Sequence, residues 1–252
     1  MKTLAIIPAR YASTRFPGKP LAMLGGKPMI QWACERVSAM PELAAAIVAT
    51  DDQRIYDAVK TFGGRVMMTA DTHRSGTDRC GEVLAKLEAQ SEHYDVVINV
   101  QGDEPFVDQE QLRSLIAAFD DEQVEIASLK KAIDDEATLS TPNAVKVVTD
   151  LKGMALYFSR HTIPYQRGVE TSDWIKGHRY YKHVGIYAFR AEVLKQLVAL
   201  PQGELERCES LEQLRWLENG YRIRMIETQT ENVGIDTPED LVLANEKLKS
   251  RL

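Results

Sequence analysis

The chain has 252 residues, enough for one large domain or two small ones, and its 44% hydrophobic and 27% charged residues are the balance of a globular protein with a sizeable core. A formal net charge of -6 argues against a general nucleic-acid or membrane-surface binder, so any anion site must be a local basic cluster. No apolar run approaches the ~18 residues of a membrane span, and no signal-peptide pattern opens the chain.

Residues 3–7 form a continuous apolar run suited to a strand buried on both faces. Ile30, Ala33, Cys34 and Val37 follow with i, i+3, i+4, i+7 spacing, which places them on one helix face. Residues 46–50 read as a second strand, and Ile55, Ala58, Val59 and Phe62 as a helix ended by Gly63-Gly64. Cys80, Val83, Leu84 and Leu87 predict another helix, residues 96–100 a buried strand, and Leu112, Leu115, Ile116 and Phe119 a further helix. This alternation predicts an α/β fold, a Rossmann-like mixed and mostly parallel sheet with helices on both faces. Ligands of such sheets sit beyond the carboxyl ends of the strands.

Past residue 124 the rhythm changes. Short strand-like runs cover 124–129, 145–149, 156–159 and 184–189, while 165–182 is polar and turn-rich and reads as a long loop or flap. Helical spacing returns at Val193, Leu194, Leu197 and Leu200, and again at Leu211, Leu214 and Leu217. Thr237-Pro238-Glu239-Asp240 predicts a helix start, with a threonine N-cap, proline at the first helical position and acids in the first turn. The expected organisation is one domain, 1–252, with a β-rich embellishment over 124–190. Cys34, Cys80 and Cys208 each fall in a predicted helix and read as small buried residues in a reducing cytoplasm.

The chemistry concentrates first in PARYASTRFPGKP, residues 8–20, which leave the first strand at the ligand-binding edge. Pro8, Pro17 and Pro20 stiffen this loop, and Gly18 permits a positive φ. Arg10 and Arg15 can form bidentate bonds to phosphate oxygens, Lys19 adds a point charge, and Ser13 and Thr14 supply hydroxyls. The segment is neither a P-loop nor a GxGxxG fingerprint, since Pro20 follows Gly18-Lys19. Asn99-Val100-Gln101-Gly102-Asp103-Glu104-Pro105 leaves a buried strand at the same edge. There Gly102 admits a close ligand, and Asp103 suits either a magnesium ion or a turn cap. Asp236, after a strand-like stretch and before the Thr-Pro helix start, is a second acid that capping alone would explain.

Residues 8–21 with Gly26-Lys27-Pro28-Met29-Ile30, then QGDEP at 101–105 and GIDTPEDL at 234–241, closely resemble the bacterial 3-deoxy-manno-octulosonate (Kdo) cytidylyltransferases, the CMP-Kdo synthetases. The wider CMP-sugar synthetase group shares a looser version of the first signature. The resemblance implies a nucleotide-diphospho-sugar transferase-like fold and transfer of CMP from CTP to the 2-hydroxyl of Kdo, releasing pyrophosphate, in a cytoplasmic homodimer of lipopolysaccharide biosynthesis. It implies that Pro8, Ala9, Arg10, Ser13, Arg15 and Lys19 hold the triphosphate, and that Arg74, Ser75 and Gly76, with Gln101 and Gly102, close the nucleotide pocket. Asp103 and Asp236 would coordinate Mg²⁺, with Arg15, Lys19 and Asp103 as the catalytic set.

Thr77, with its polar first turn, reads as the cap of the helix behind Arg74. For the sugar, Arg160 reads either as the resemblance's partner of the substrate carboxylate or as a surface salt bridge. His183, Gly185 and Tyr187 share one strand face, and the resemblance assigns this face, with Gln101, to sugar contact. Glu212 and Gln213 fall on the polar side of a helix and, by the same resemblance, reach the sugar hydroxyls. Residues 166–179 match no pattern of the family. A related acidic sugar, 8-amino-Kdo or sialic acid, and a non-catalytic nucleotide-binding module remain alternatives.

Overall fold

A computed structural model describes residues 1–12, 16–230, 234–235 and 237–249. Contacts divide the chain into two compact units, Met1–Arg113 with Asn232–Leu252, and Ser114–Glu231.

The first unit opens with β1 (Thr3–Ala9), buried along nearly its whole length as its apolar run requires. A 3-10 turn (Lys19–Leu21) and the two-residue strands β2 (Met23–Leu24) and β3 (Lys27–Pro28) lead into α1 (Met29–Ser38). There follow β4 (Ala45–Thr50), α2 (Gln53–Thr61), β5 (Val66–Met68), α3 (Gly76–Glu88), β6 (Val96–Asn99) and α4 (Gln109–Ala117), and the unit boundary falls within this last helix. All the strand pairs among β1, β4, β5 and β6 are parallel, in the order β6-β1-β4-β5. Ala9 faces Thr50, and Ile6 faces Asn99, so the strands end at one common edge. The short β5 was not visible in the sequence pattern, because its three residues are only partly buried.

Helix ends explain the local breaks. Asp52 caps α2, its side chain accepting from the Arg54 amide, and Gly63 at φ 79° ends it. Ser75, not Thr77, caps α3. Its hydroxyl accepts from the Asp78 amide while Asp78 accepts from the Ser75 amide, the reciprocal box that a Ser three residues before an acid forms. Thr77 is instead buried inside the first turn.

The second unit holds β7 (Ile126–Ala132), α5 (Glu136–Ser140), β8 (Lys146–Thr149), β9 (Ala155–Ser159), α6 (Trp174–Gly177), β10 (Tyr181–Arg190), α7 (Ala191–Leu197), α8 (Glu204–Glu209), α9 (Glu212–Glu218) and β11 (Ile223–Glu227). Strand β7 pairs with β11 in parallel and with β10 antiparallel, and β8 and β9 form an antiparallel hairpin. The β-rich middle expected from the sequence is present and continues to Glu227. The chain closes on α10 (Pro238–Lys249), which belongs to the first unit and carries the expected Thr237 cap, reciprocated by Asp240. No strand precedes Asp236 among the described residues of 228–235. Cys34 and Cys80 are buried, but Cys208 is exposed, because its short helix turns that side outward.

Residues 165–182 are anchored rather than a loose flap. Trp174 and Tyr180 join Ile133 and Leu139 in a buried cluster. Gln166 Nε2 donates to the Trp174 carbonyl at 2.7 Å, and the Trp174 indole donates to the Val169 carbonyl at 2.9 Å. Two large anchors six residues apart carry no helical or strand period, so the pattern of the segment hides them. Trp174→Ala should cost about 3 kcal/mol and expose residues 166–180 to protease before the rest of the chain unfolds, which limited proteolysis with mass spectrometry checks.

Candidate functional site

In the first unit, strand geometry gathers the predicted residues. Pro8 and Ala9 end β1, and Val100 donates its amide to the Ile6 carbonyl at 2.9 Å, carrying the β6 exit alongside β1. Gly102 then packs so closely that a Cβ there would lie 2.5 Å from the Pro8 carbonyl oxygen. A Cβ on Gly76, at the start of α3, would come within 3.3 Å of the Pro8 ring and of the Asn99 amide. Pro8, Gly76, Asn99 and Gly102 therefore meet at one point. The Asn99 Oδ1 atom is buried there and has no hydrogen-bond partner among the described residues, a polar group that the sequence pattern did not single out.

The basic loop is closed at its base by the Gly18 amide, which donates to the Tyr11 carbonyl at 2.9 Å. Gly18 sits at φ 73°, where a side chain is strained. That turn starts the 3-10 segment that swings Lys19 inward. The Lys19 side chain is 7% exposed, and its ammonium donates to Asp103 Oδ2 at 3.0 Å, with Asp103 itself 44% exposed. Taking an ammonium out of water costs hydration, which the adjacent carboxylate offsets. The predicted cation and the predicted metal acid are thus side by side. Arg10 and Arg74 are exposed, and Gln101 is half-buried. Ser13, Arg15 and Asp236 lie outside the described residues.

Two side chains of α3, Arg79 and Glu82, tie the helix to the segments at residue 51 and residues 69–73. Arg79 is buried and bonds Asp51 at 2.7 Å, the Thr69 hydroxyl at 2.7 Å and the Ala70 carbonyl at 3.2 Å. Glu82 accepts from the Ala70 amide, from Lys86 and from His73. Burial opposes its ionisation, yet these donors prevail and hold the carboxyl at about 2. Neither residue was legible, because a charged residue inside a helix pattern ordinarily reads as its solvated face.

In the second unit, His183 and Tyr187 lie on one face of β10, their ring centroids 5.2 Å apart. Tyr187 and Phe189 meet Trp216 of α9 edge-on at 5.0 and 5.4 Å. Burial pushes the His183 imidazole down to about 3, although part of its surface stays accessible. Burial, then the Glu212 charge, push the Tyr187 phenol well above its ordinary value. Gln213 is buried rather than on a solvated helix side. Its Nε2 and the Tyr187 hydroxyl have no hydrogen-bond partner among the described residues. Glu212 is half-buried and accepts from Arg215 at 2.9 Å. Arg160 donates to the carbonyls of Glu209, Pro142 and Ser210, and among the described residues it forms no surface salt bridge. It straps the α8–α9 turn to β9.

The Cytidylyltransferase family model matches residues 4–225. The chain belongs to this family. It is 56% identical to a 3-deoxy-manno-octulosonate cytidylyltransferase of Bacteroides thetaiotaomicron, with all of both chains aligned. It is 51% identical to the enzyme of the same name from Porphyromonas gingivalis, over 99% of this chain and 98% of that one. A solved structure of CMP:2-keto-3-deoxy-manno-octonic acid synthetase complexed with CTP superposes with a TM-score of 0.91 at 43% identity, over all of both chains. The expected α/β class, a mixed and mostly parallel sheet with helices, is that of this structure. A 4-diphosphocytidyl-2C-methyl-D-erythritol synthase from Anaerococcus prevotii, at 17% identity and a TM-score of 0.61, shares the fold alone.

Two outcomes test this geometry. Gly102→Ala must displace the Pro8 carbonyl, at about 1–3 kcal/mol, which a thermal melt measures. Glu82 contributes stability that is fully present above its ordinary 4.5 and is lost as pH falls toward about 2. The stability advantage of the parent over Glu82→Gln should therefore shrink across that window in urea titrations at successive pH values.

Proposed function

We propose that this chain transfers CMP from CTP to the 2-hydroxyl of Kdo, giving CMP-Kdo and pyrophosphate. The observation that carries the reading is its full-length 56% identity to an enzyme named for this reaction, supported by the Lys19–Asp103 pair at the strand edge.

In this reaction the sugar 2-hydroxyl attacks the α-phosphorus in line. Its proton is released, a new P–O bond forms, and the bond to pyrophosphate breaks. Positioning and charge neutralisation carry such chemistry. Lys19, held in one orientation by burial and by Asp103, offers a fixed cation to the triphosphate. The close approach of Gly102 to Pro8 brings main-chain groups of both loops to the same point. Arg15 completes the set from the same basic loop.

Magnesium fits the donor chemistry. A magnesium ion takes one or two carboxylates together with substrate phosphates, and Asp103 presents a part-exposed carboxylate with one oxygen on Lys19. Among the described residues no group of three or more His, Cys, Asp or Glu side chains forms a protein-only cage. Asp103 and Asp236 are the residues that would hold the ion, which when bound supplies charge neutralisation at the reacting phosphate. The same reading places the chain in the cytoplasm, as a homodimer serving lipopolysaccharide biosynthesis. No helix among the described residues is long and apolar enough to cross a membrane.

Pyrophosphate release with CTP and, in separate reactions, Kdo, 8-amino-Kdo and sialic acid is the decisive assay. Kdo should support the fastest turnover. Asp103→Ala should lower kcat by roughly two orders of magnitude or more, the scale of losing a key electrostatic group, with the far-UV spectrum unchanged. Turnover with sialic acid alone, or CTP binding without turnover on any sugar, would refute the assignment.

A further inference from the structure

Ser128 lies in the middle of β7, fully buried, where a serine has no packing reason to stand. Opposite it, β10 departs from regular pairing. Val184 faces Leu129, but the next paired residue is Tyr187, facing Ser128, so the register shifts across Gly185 and Ile186. Such a shift disrupts the regular ladder locally. The Ser128 hydroxyl reaches across at this point, donating to the Ile186 carbonyl at 2.9 Å, with the Val184 carbonyl at 3.3 Å.

The same oxygen lies 2.9 Å from His183 Nε2. A hydroxyl has one proton and two lone pairs. Both carbonyls can only accept, so the proton belongs to them, and the serine oxygen can only accept from the imidazole. His183 must then carry its proton on Nε2, which leaves Nδ1 as a bare acceptor. The ring cannot turn easily, since it packs edge-on against Phe158 at 5.1 Å and tilted against Tyr187 at 5.2 Å. Burial keeps it neutral at physiological pH.

We propose that Ser128 is a positioning residue that locks His183 in its Nε2–H form, so that Nδ1 serves as a hydrogen-bond acceptor for a substrate hydroxyl. The inference rests on the proposed sugar-nucleotide reading for the nature of that hydroxyl, and on the geometry alone for the tautomer. Tyr187, its ring 5.2 Å from that of His183, and α9, whose Trp216 meets Tyr187, bring groups of the opposite polarity. Tyr187 O–H and Gln213 Nε2–H are buried donors without a partner among the described residues. A polyol hydroxyl both donates and accepts, so an acceptor beside buried donors suits it better than a carboxylate or a phosphate, which only accept.

The test is a long-range ¹H–¹⁵N correlation spectrum of the full-length, ¹⁵N-histidine-labelled protein without substrate, the His183 signals assigned by their loss in His183→Gln. A single Nε2–H form is expected in the parent protein. In Ser128→Ala the spectrum should move toward a mixture of tautomers, and KM for Kdo should rise about tenfold, the scale of one mispaired hydrogen bond, with KM for CTP unchanged. Ser128→Thr, which keeps the hydroxyl, should restore the Nε2–H form. An Nδ1–H tautomer or an imidazolium in the parent protein overturns the proposal whatever the variants do, as does a Ser128→Ala protein with unaltered spectrum and KM. The expected spectra together with turnover on a different acidic sugar would support the lock while refuting the substrate assignment.

Discussion

Removing an ammonium from water sacrifices several kcal/mol of hydration, and the first unit arranges that loss at Lys19. The lysine is held by a left-handed glycine before it, a proline after it and the Asp103 carboxylate beside it. That arrangement depends on two strands ending together. Because β1 and β6 run parallel in fixed register, the loops leaving them must share space, and Gly102 against the Pro8 carbonyl shows how little space remains. Charge is therefore placed by backbone geometry and not by the reach of a flexible side chain. Preorganised charge of this kind is what electrostatic catalysis uses.

The second unit follows the same logic with neutral groups. Where the register of β10 shifts, a buried serine hydroxyl bonds strand carbonyls and lies against a histidine, the contact on which the proposed tautomer lock rests. Arg160 repeats the theme, its guanidinium given to two carbonyls of the α8–α9 turn and to that of Pro142, while Glu209 takes the Ser159 hydroxyl and the Arg160 amide. Main-chain groups that lose their regular partners are met by side chains, and those side chains are thereby immobilised.

Much of this was legible from residue order. Continuous apolar runs gave β1, β4 and β6, helical spacing gave α1 to α4, and the parallel arrangement followed from their alternation. Lys19 and Asp103 were legible as separate loop residues because proline and glycine mark where strands end. The rest depended on partners far along the chain. Ser75 rather than Thr77 caps α3, since the choice depends on Asp78 three residues on. Gln213 reads as polar surface until Leu214 and Trp216 are seen to bury the turn around it. Arg79 and Glu82 look like a solvated helix face, and their burial comes from the Asp51 and Ala70 segments that fold over them. Trp174 and Tyr180 follow no period, so a segment of polar composition concealed a small core of its own.

One feature of the chain's path bears on how the molecule is made. Leu24 and Met29 share a core with Ile235 and Ala244, and Asn245 accepts the Gly25 amide and donates to the Met23 carbonyl. The first unit is thus assembled from both ends of the polypeptide, whereas residues 114–231 are contiguous. The core beside the strand edge that carries Lys19 can therefore close only once residues 235–245 have been made, whereas the contiguous unit draws on no segment beyond 231.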